Sequence, residues 1–152
     1  MLRKTGTLVV VALILGVAPA GLAAVTSLHA SAKMDSQQVV VPRRPVGNVA
    51  HAKGTFVGTL SRTRAQWRLA WRITYEKLAN PVVVIADIHR GKPGHFGPIL
   101  VRLCANCHSG QTGVKAVTAD TVRTMKRGGA FITLITGRNP NGEIRGQIRA
   151  GS

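Results

Sequence analysis

Acidic residues are the scarcest chemical resource in this chain. Of its 152 residues, 5 are Asp or Glu against 21 Lys or Arg, a formal charge of +16. Beyond Asp35 the carboxylates are Glu76, Asp87, Asp120 and Glu143, and none lies in a recognisable acid/base motif, so catalysis by a carboxylate pair has little to work with. The nucleotide-cradling patterns Gly-x-Gly-x-x-Gly and the P-loop are missing, as are His-Glu-x-x-His and Gly-x-Ser-x-Gly. No long amphipathic helix alternates with the strand-like runs, which excludes a doubly wound α/β enzyme. Cysteines number only 2, Cys104 and Cys107, and none stands near the N-terminus to carry a lipid anchor.

The N-terminus is rich in what the rest lacks. Arg3 and Lys4 precede an apolar run from Leu8 to Val17, broken only by Gly16, and small-residue sites follow at Ala18-Pro19-Ala20 and Ala30-Ser31-Ala32. This pattern predicts an export signal over residues 1–32 with cleavage between 20 and 32. Pro19 and Gly21 interrupt the stretch short of a spanning length, and no later segment is apolar enough to cross a bilayer, so no anchor is expected after cleavage. Residues 33–50, with Gln37, Gln38, Arg43, Arg44 and two prolines, read as an extended basic lead-in. Val39 to Val41 could pair there as a short edge strand. Export changes the meaning of the charge: the accessible polyanions become envelope and extracellular polymers or lipid headgroups, and nucleic acid is not the expected partner.

From residue 51 to 150 the chain is written in strands. Phe56, Gly58 and Leu60 share one parity; Trp67, Leu69, Trp71 and Ile73 share another, opposite Arg68, Ala70 and Arg72. That is the period of a sheet with one face on a core. The tryptophans read as core aromatics. Asn80-Pro81 marks a turn into Val82–His89, apolar on both parities as in a central strand, and Gly97-Pro98 leads into Ile99–Leu103. Ser109 to Gly113 reads as a loop. Thr118 caps a short helix, Thr121 to Arg127, ended by Gly128-Gly129. A last hairpin runs from Ala130 through Pro140-Asn141-Gly142 and returns with Ile144, Gly146 and Ile148 alternating against Glu143, Arg145 and Gln147.

Three stretches resemble the CHRD domain, the repeat named after chordin. They are Gly54-Thr55-Phe56-Val57-Gly58-Thr59-Leu60; Ile85-Ala86-Asp87-Ile88-His89 with Gly97-Pro98-Ile99-Leu100-Val101; and, most specifically, the hairpin Asn139-Pro140-Asn141-Gly142-Glu143-Ile144-Arg145-Gly146-Gln147. The resemblance implies an all-β fold, an immunoglobulin-like antiparallel β-sandwich, here with one short helix near the C-terminal third. It implies a secreted non-enzymatic module, binding or structural, with no cofactor. Two positions depart from the family pattern: Asp87 and Ile135 stand where histidines are usual.

Asp87 and His89 point the same way from one strand and are candidate metal ligands, short of a set unless His95 or His108 joins them. Cys104-Ala105-Asn106-Cys107-His108 admits three readings. The first is a disulfide in an oxidising compartment. The alternative is c-type haem attachment, an electron carrier with Cys104 and Cys107 as thioether sites and His108 as axial ligand. A redox-active dithiol is the third. Arg62, Arg64, Arg68 and Arg72 share even numbering and are expected to form a basic binding face for anionic envelope or extracellular polymers, or for another protein. Glu143 and Arg145 share a parity and are expected to make a charge pair or turn contacts.

Overall fold

The computed structural model describes residues 27–40, 44–63, 66–79 and 84–151. Residues 1–26, most of the expected leader, lie outside that range, as do Arg64 and the Asn80-Pro81 turn.

The described residues form nine strands and one helix. They are β1 (Ser27–Asp35), β2 (Lys53–Thr63), β3 (Gln66–Glu76), β4 (Val84–Arg90), β5 (Ile99–Cys104), β6 (Thr112–Val117), α1 (Ala119–Lys126), β7 (Ala130–Thr136), β8 (Ile144–Gln147) and β9 (Arg149–Gly151). All pairings are antiparallel. The hydrogen-bonded order is β5-β4-β7-β8-β1-β2-β3-β6, with β9 off β1, and the sheet curls until it is nearly closed into a barrel-like shape.

The join between the two halves is a corner made by the C-terminal run. β8 pairs with β7 from Phe131↔Gln147 to Leu134↔Ile144, and the chain then passes Ile148 and continues as β9 against Ala30 and its neighbours in β1. β8 and β1 meet at Asp35↔Arg145. Backbones approach so closely there that a Cβ on Gly146 would lie 2.4 Å from the Lys33 carbonyl oxygen, which only glycine avoids. The all-β, antiparallel expectation with one short helix stands. The hydrogen bonding runs unbroken around this corner, so the described strands form one continuous sheet.

Alternation fixes which side of each strand is wet. In β2 and β3, Phe56, Leu60, Leu69, Trp71 and Ile73 are buried, and Thr55, Val57, Arg68, Ala70 and Arg72 are exposed. β4 is a central strand between β5 and β7, and it buries residues of both parities, Ala86 and Ile88 on one face and Asp87 on the other, as its apolar run predicts. Helix α1 starts at Thr118, whose hydroxyl accepts from the Thr121 N–H at 3.1 Å, and it buries Val122 and Met125 against the core.

Two boundaries move. β1 occupies residues assigned above to the leader and the lead-in, and it is an interior strand, paired with β2 from Ser27↔Ser61 to Asp35↔Lys53. Leu28, Ala30, Ala32 and Met34 face the core while Ser27, His29, Ser31 and Lys33 face out. The folded unit therefore begins by Ser27, not at residue 51. The expected strand at Val39 is instead a turn following Asp35, whose carboxylate accepts from the Gln37 and Gln38 N–H groups, both at 3.0 Å. β6, within the region expected as loop and helix lead, is an edge strand on β3. Among the described residues no helix is long and apolar enough to cross a membrane.

Candidate functional site

The outer face of β9-β1-β2-β3-β6 is small-featured and basic. One row crosses all five strands: Arg149, Ser31, Val57, Arg72 and Thr112 stand in register. Lys33 heads the next row, with Thr55 and Thr74 joined Oγ1 to Oγ1 at 2.6 Å. Arg68 lies on the same face between Ser61 and Ala116. Ser, Thr, Ala and Val between these cations leave a shallow trough of about 540 Å³ beside Arg72, floored by Val57, Ala70 and Val114. Arg68, Arg72, Lys33 and Arg149 belong to none of the ion pairs found among the described residues.

Arg62 does not join them. Its register partner is Trp67, so it projects from the opposite side of the sheet, at the exposed end of β2. The two residues between Thr63 and Gln66 make odd positions of β3 face even positions of β2, so common numbering across the turn means opposite faces. Arg64 falls in that turn, outside the described residues. The face is thus Arg68 and Arg72 with Lys33 and Arg149. Lys33 was missed because β1 was not read as a strand, and Arg149, on the polar side of the last return strand, was not tied to this face because its pairing with β1 was not foreseen.

The outer face of the other half carries a polar cluster lying under loops. Asp87, His89, Phe131, Thr133, Arg145 and Gln147 share it, since Asp87↔Thr133↔Arg145 and His89↔Phe131↔Gln147 are register rows. Both oxygens of the fully buried Asp87 accept from Arg102, Nε and Nη2 each at 2.9 Å, and this carboxylate holds the guanidinium above its ordinary value. His89 stacks on Phe131 with ring centroids 5.1 Å apart and planes within 5°. Its Nδ1 lies 3.0 Å from the Gly97 carbonyl, which can only accept, so Nδ1 carries a proton. Arg145 lies over Phe131, Cζ 3.5 Å from the ring centre, and its Nη2 donates to the Lys92 carbonyl at 3.1 Å. Burial pushes this guanidinium below its usual value.

The structure does not assemble Asp87 and His89 into a metal-ligand set: their polar atoms are directed to Arg102 and Gly97. His95 is exposed and folds back on the Pro93 carbonyl at 3.0 Å, and His108 is exposed on the cysteine loop. Among the described residues no three His, Cys, Asp or Glu side chains come together. Asp120 is exposed, and the hydrogen bond and charge of Arg90 hold its carboxyl below the ordinary aspartate value.

Cys104 and Cys107 are joined in a disulfide with their Cα atoms 5.6 Å apart. Both sulfurs that thioether links to haem would use are consumed, so the electron-carrier alternative has no support. The bridge closes the end of β5 onto a loop held by the Cys107 N–H donating to the Val84 carbonyl at 2.8 Å and Tyr75 Oη donating to the Cys107 carbonyl at 2.8 Å. Burial raises the Tyr75 phenol.

The hairpin motif is structural. Glu143 is fully buried; it accepts from Thr136 Oγ1 at 2.7 Å, from Asn139 Nδ2 at 2.9 Å and from the Ala79 N–H. Asn139 Oδ1 accepts from the Val46 N–H at 2.7 Å and its Nδ2 lies 3.2 Å from the Val46 carbonyl. Gly142 has φ of +111°, and a Cβ there would sit 2.6 Å from Thr133 Oγ1. Pro140 and Asn141 form the exposed turn. Glu143 and Arg145 make turn and loop contacts, not a charge pair with each other.

No curated protein and no solved structure matches the chain. One family description does: the CHRD domain, whose model matches residues 30–148, beginning inside β1 and ending at the residue that turns β8 into β9. With most of its length matched, and with the hairpin, the Asp87-Ile88-His89 strand and the opening strand β2 all in that span, this chain belongs to the CHRD domain family.

Proposed function

We propose that this CHRD β-module is exported and binds anionic envelope or extracellular polymers through the outer face of β9-β1-β2-β3-β6, without catalysing a reaction on them. One observation carries the reading: the row Arg149–Ser31–Val57–Arg72–Thr112, flanked by Lys33 and Arg68, sets cations that have no carboxylate partner among the described residues on a sheet face of small side chains. Small residues between the cations let a chain lie against the sheet while its acidic groups meet the guanidinium forks. The net charge, +16 for the full chain and +14 once Arg3 and Lys4 leave with the leader, raises encounter with any polyanion, and Arg3, Lys4 and the Leu8–Val17 run supply the export pattern that sets which polyanions are within reach.

The test is elution from immobilised alginate in a salt gradient. Arg68→Glu and Arg72→Glu together are expected to lower affinity about ten-fold or more at low salt, since each reversal removes an attraction and adds a repulsion of about 1 kcal/mol in water at contact. Arg62→Glu changes net charge as much as Arg68→Glu but sits on the opposite side of the sheet. Equal shifts from these two single variants would mean that retention follows total charge and would overturn the assignment of this face.

A further inference from the structure

Arg145 is only 3 % exposed, yet its Nη1 has no hydrogen-bond partner, and the same is true of the buried His89 Nε2. Both residues line one recess of about 200 Å³, on the half of the sheet away from the basic face, between the β4–β5 loop, residues 39–40 and the final hairpin. Val39, Phe96, Phe131, Ile135 and Pro140 make most of its other walls apolar, and Thr133 and Asn141 add two polar side chains. An arginine stacked on an aromatic ring ordinarily keeps its head in water. Here the head is buried, and burying a cation without an anion is costly.

The chain's own acids are committed elsewhere. Asp35 binds the Gln37 and Gln38 backbone, Asp87 binds Arg102, Asp120 binds Arg90 and Arg123, and Glu143 binds Thr136, Asn139 and Ala79. Glu76 is exposed at the end of β3, opposite Lys53. The cation over Phe131 also disfavours a metal ion at His89 Nε2.

We propose that this recess binds a small, flat organic carboxylate bearing a hydroxyl, of the hydroxybenzoate type. Arg145 Nη1 and His89 Nε2 are covered from solvent in the free protein, so the ligand reaches them by displacing side chains at the rim; Nη1 then donates to the carboxylate, replacing the missing counter-charge. His89 keeps its Nδ1 proton on the Gly97 carbonyl, which leaves the Nε2 lone pair to accept from the ligand hydroxyl. Phe96, Phe131 and Ile135 cover the apolar body, and a cavity of this size holds a single substituted ring. Phe96 is 52 % exposed, an apolar side chain left in solvent at the rim of this recess.

Calorimetric titration with 3- and 4-hydroxybenzoate, benzoate and the matching hydroxybenzyl alcohols tests this. One hydroxybenzoate is expected to bind saturably and at least ten-fold tighter than its alcohol. Arg145→Met should remove that preference, and His89→Phe, which keeps a ring stacked on Phe131, should abolish the advantage over benzoate. Ile135 is only half-buried, so Ile135→Trp fills the recess and is expected to lose binding with the fold intact, which keeps the test decisive if Arg145→Met unfolds. Arg68→Glu should leave the affinity unchanged, separating this site from the basic face. No saturable binding of either hydroxybenzoate, equal binding of acid and alcohol, an acid preference that survives in a folded Arg145→Met, an advantage over benzoate that survives in His89→Phe, or undiminished binding in Ile135→Trp would each overturn the proposal.

Discussion

Asn139 and Glu143 are bound to each other inside the last hairpin, Nδ2 to Oε2 at 2.9 Å, and each also holds a distant part of the chain: Asn139 grips Val46 and Glu143 accepts from Ala79. The pair gives the Asn-Pro-Asn-Gly-Glu run a structural task, tying the hairpin to two distant segments. Replacing Glu143 by Ala leaves the buried Thr136 hydroxyl and the part-buried Ala79 N–H without their acceptor and takes from Asn139 Nδ2 one of its two, the Val46 carbonyl remaining; each orphaned donor costs about 1–3 kcal/mol, partly relieved by relaxation. Glu143→Ala is expected to lower unfolding free energy by roughly 3 kcal/mol, and Glu143→Gln by less, because the amide oxygen still accepts. Urea midpoints at constant slope measure both. An Ala variant within about 0.5 kcal/mol of the parent would show that the network contributes no net stability.

What the sequence made legible follows one physical rule. Where alternation sets large apolar residues against charged ones, as in β2, β3 and β8, strand and face could be read directly, and the Thr118 cap and Gly128 placed α1. β1 alternates as cleanly, but its buried side is Leu28, Ala30, Ala32 and Met34, and alanines flanking a serine are also what a leader cleavage site presents. β6 buries only Val117, so an edge strand with two wet sides carried no period to detect. The error over Arg62 was one of register, set by two residues in a turn. Arg145 could be named from the hairpin but not understood: its burial comes from a loop more than 45 residues earlier, around Lys92 and Phe96, and from residues 39–40 beyond that. Local pattern gives the face of a strand; it does not give what the chain later lays across that face.

The Cys104–Cys107 bridge spans a sequence separation of 3, so it removes little freedom from the unfolded chain. Chain-entropy arithmetic for so short a loop gives about 2 kcal/mol at most. The loop has other restraints, from Val84, Tyr75 and the Gln111 side chain, which accepts from the His108 N–H at 3.0 Å. The double substitution Cys104→Ala/Cys107→Ala is therefore expected to stay folded and lose about 1–2 kcal/mol in chemical denaturation. Loss of the cooperative transition would show instead that the bridge is required for the fold.

The place of β1 in the sheet constrains where a leader can be removed. A cut after Ala32 would take six of the strand's nine residues, including the buried Leu28, Ala30 and Ala32, and would strip the partners of Phe56, Gly58 and Leu60 in β2 and of Ala150 in β9. Exposing those edges and that much apolar surface would cost several kcal/mol, at roughly 25 cal/mol for each Å² left in water, a large share of a domain's stability. A cut after Ala20 leaves the strand whole. The exported protein is thus expected to begin before Ser27, with a mass two hydrogens below its reduced chain because of the disulfide. Intact mass without reductant reads both quantities at once. A mature protein starting at Lys33 would mean that the folded domain does without most of β1, and an uncleaved chain in the membrane fraction would mean that the apolar run is kept as an anchor.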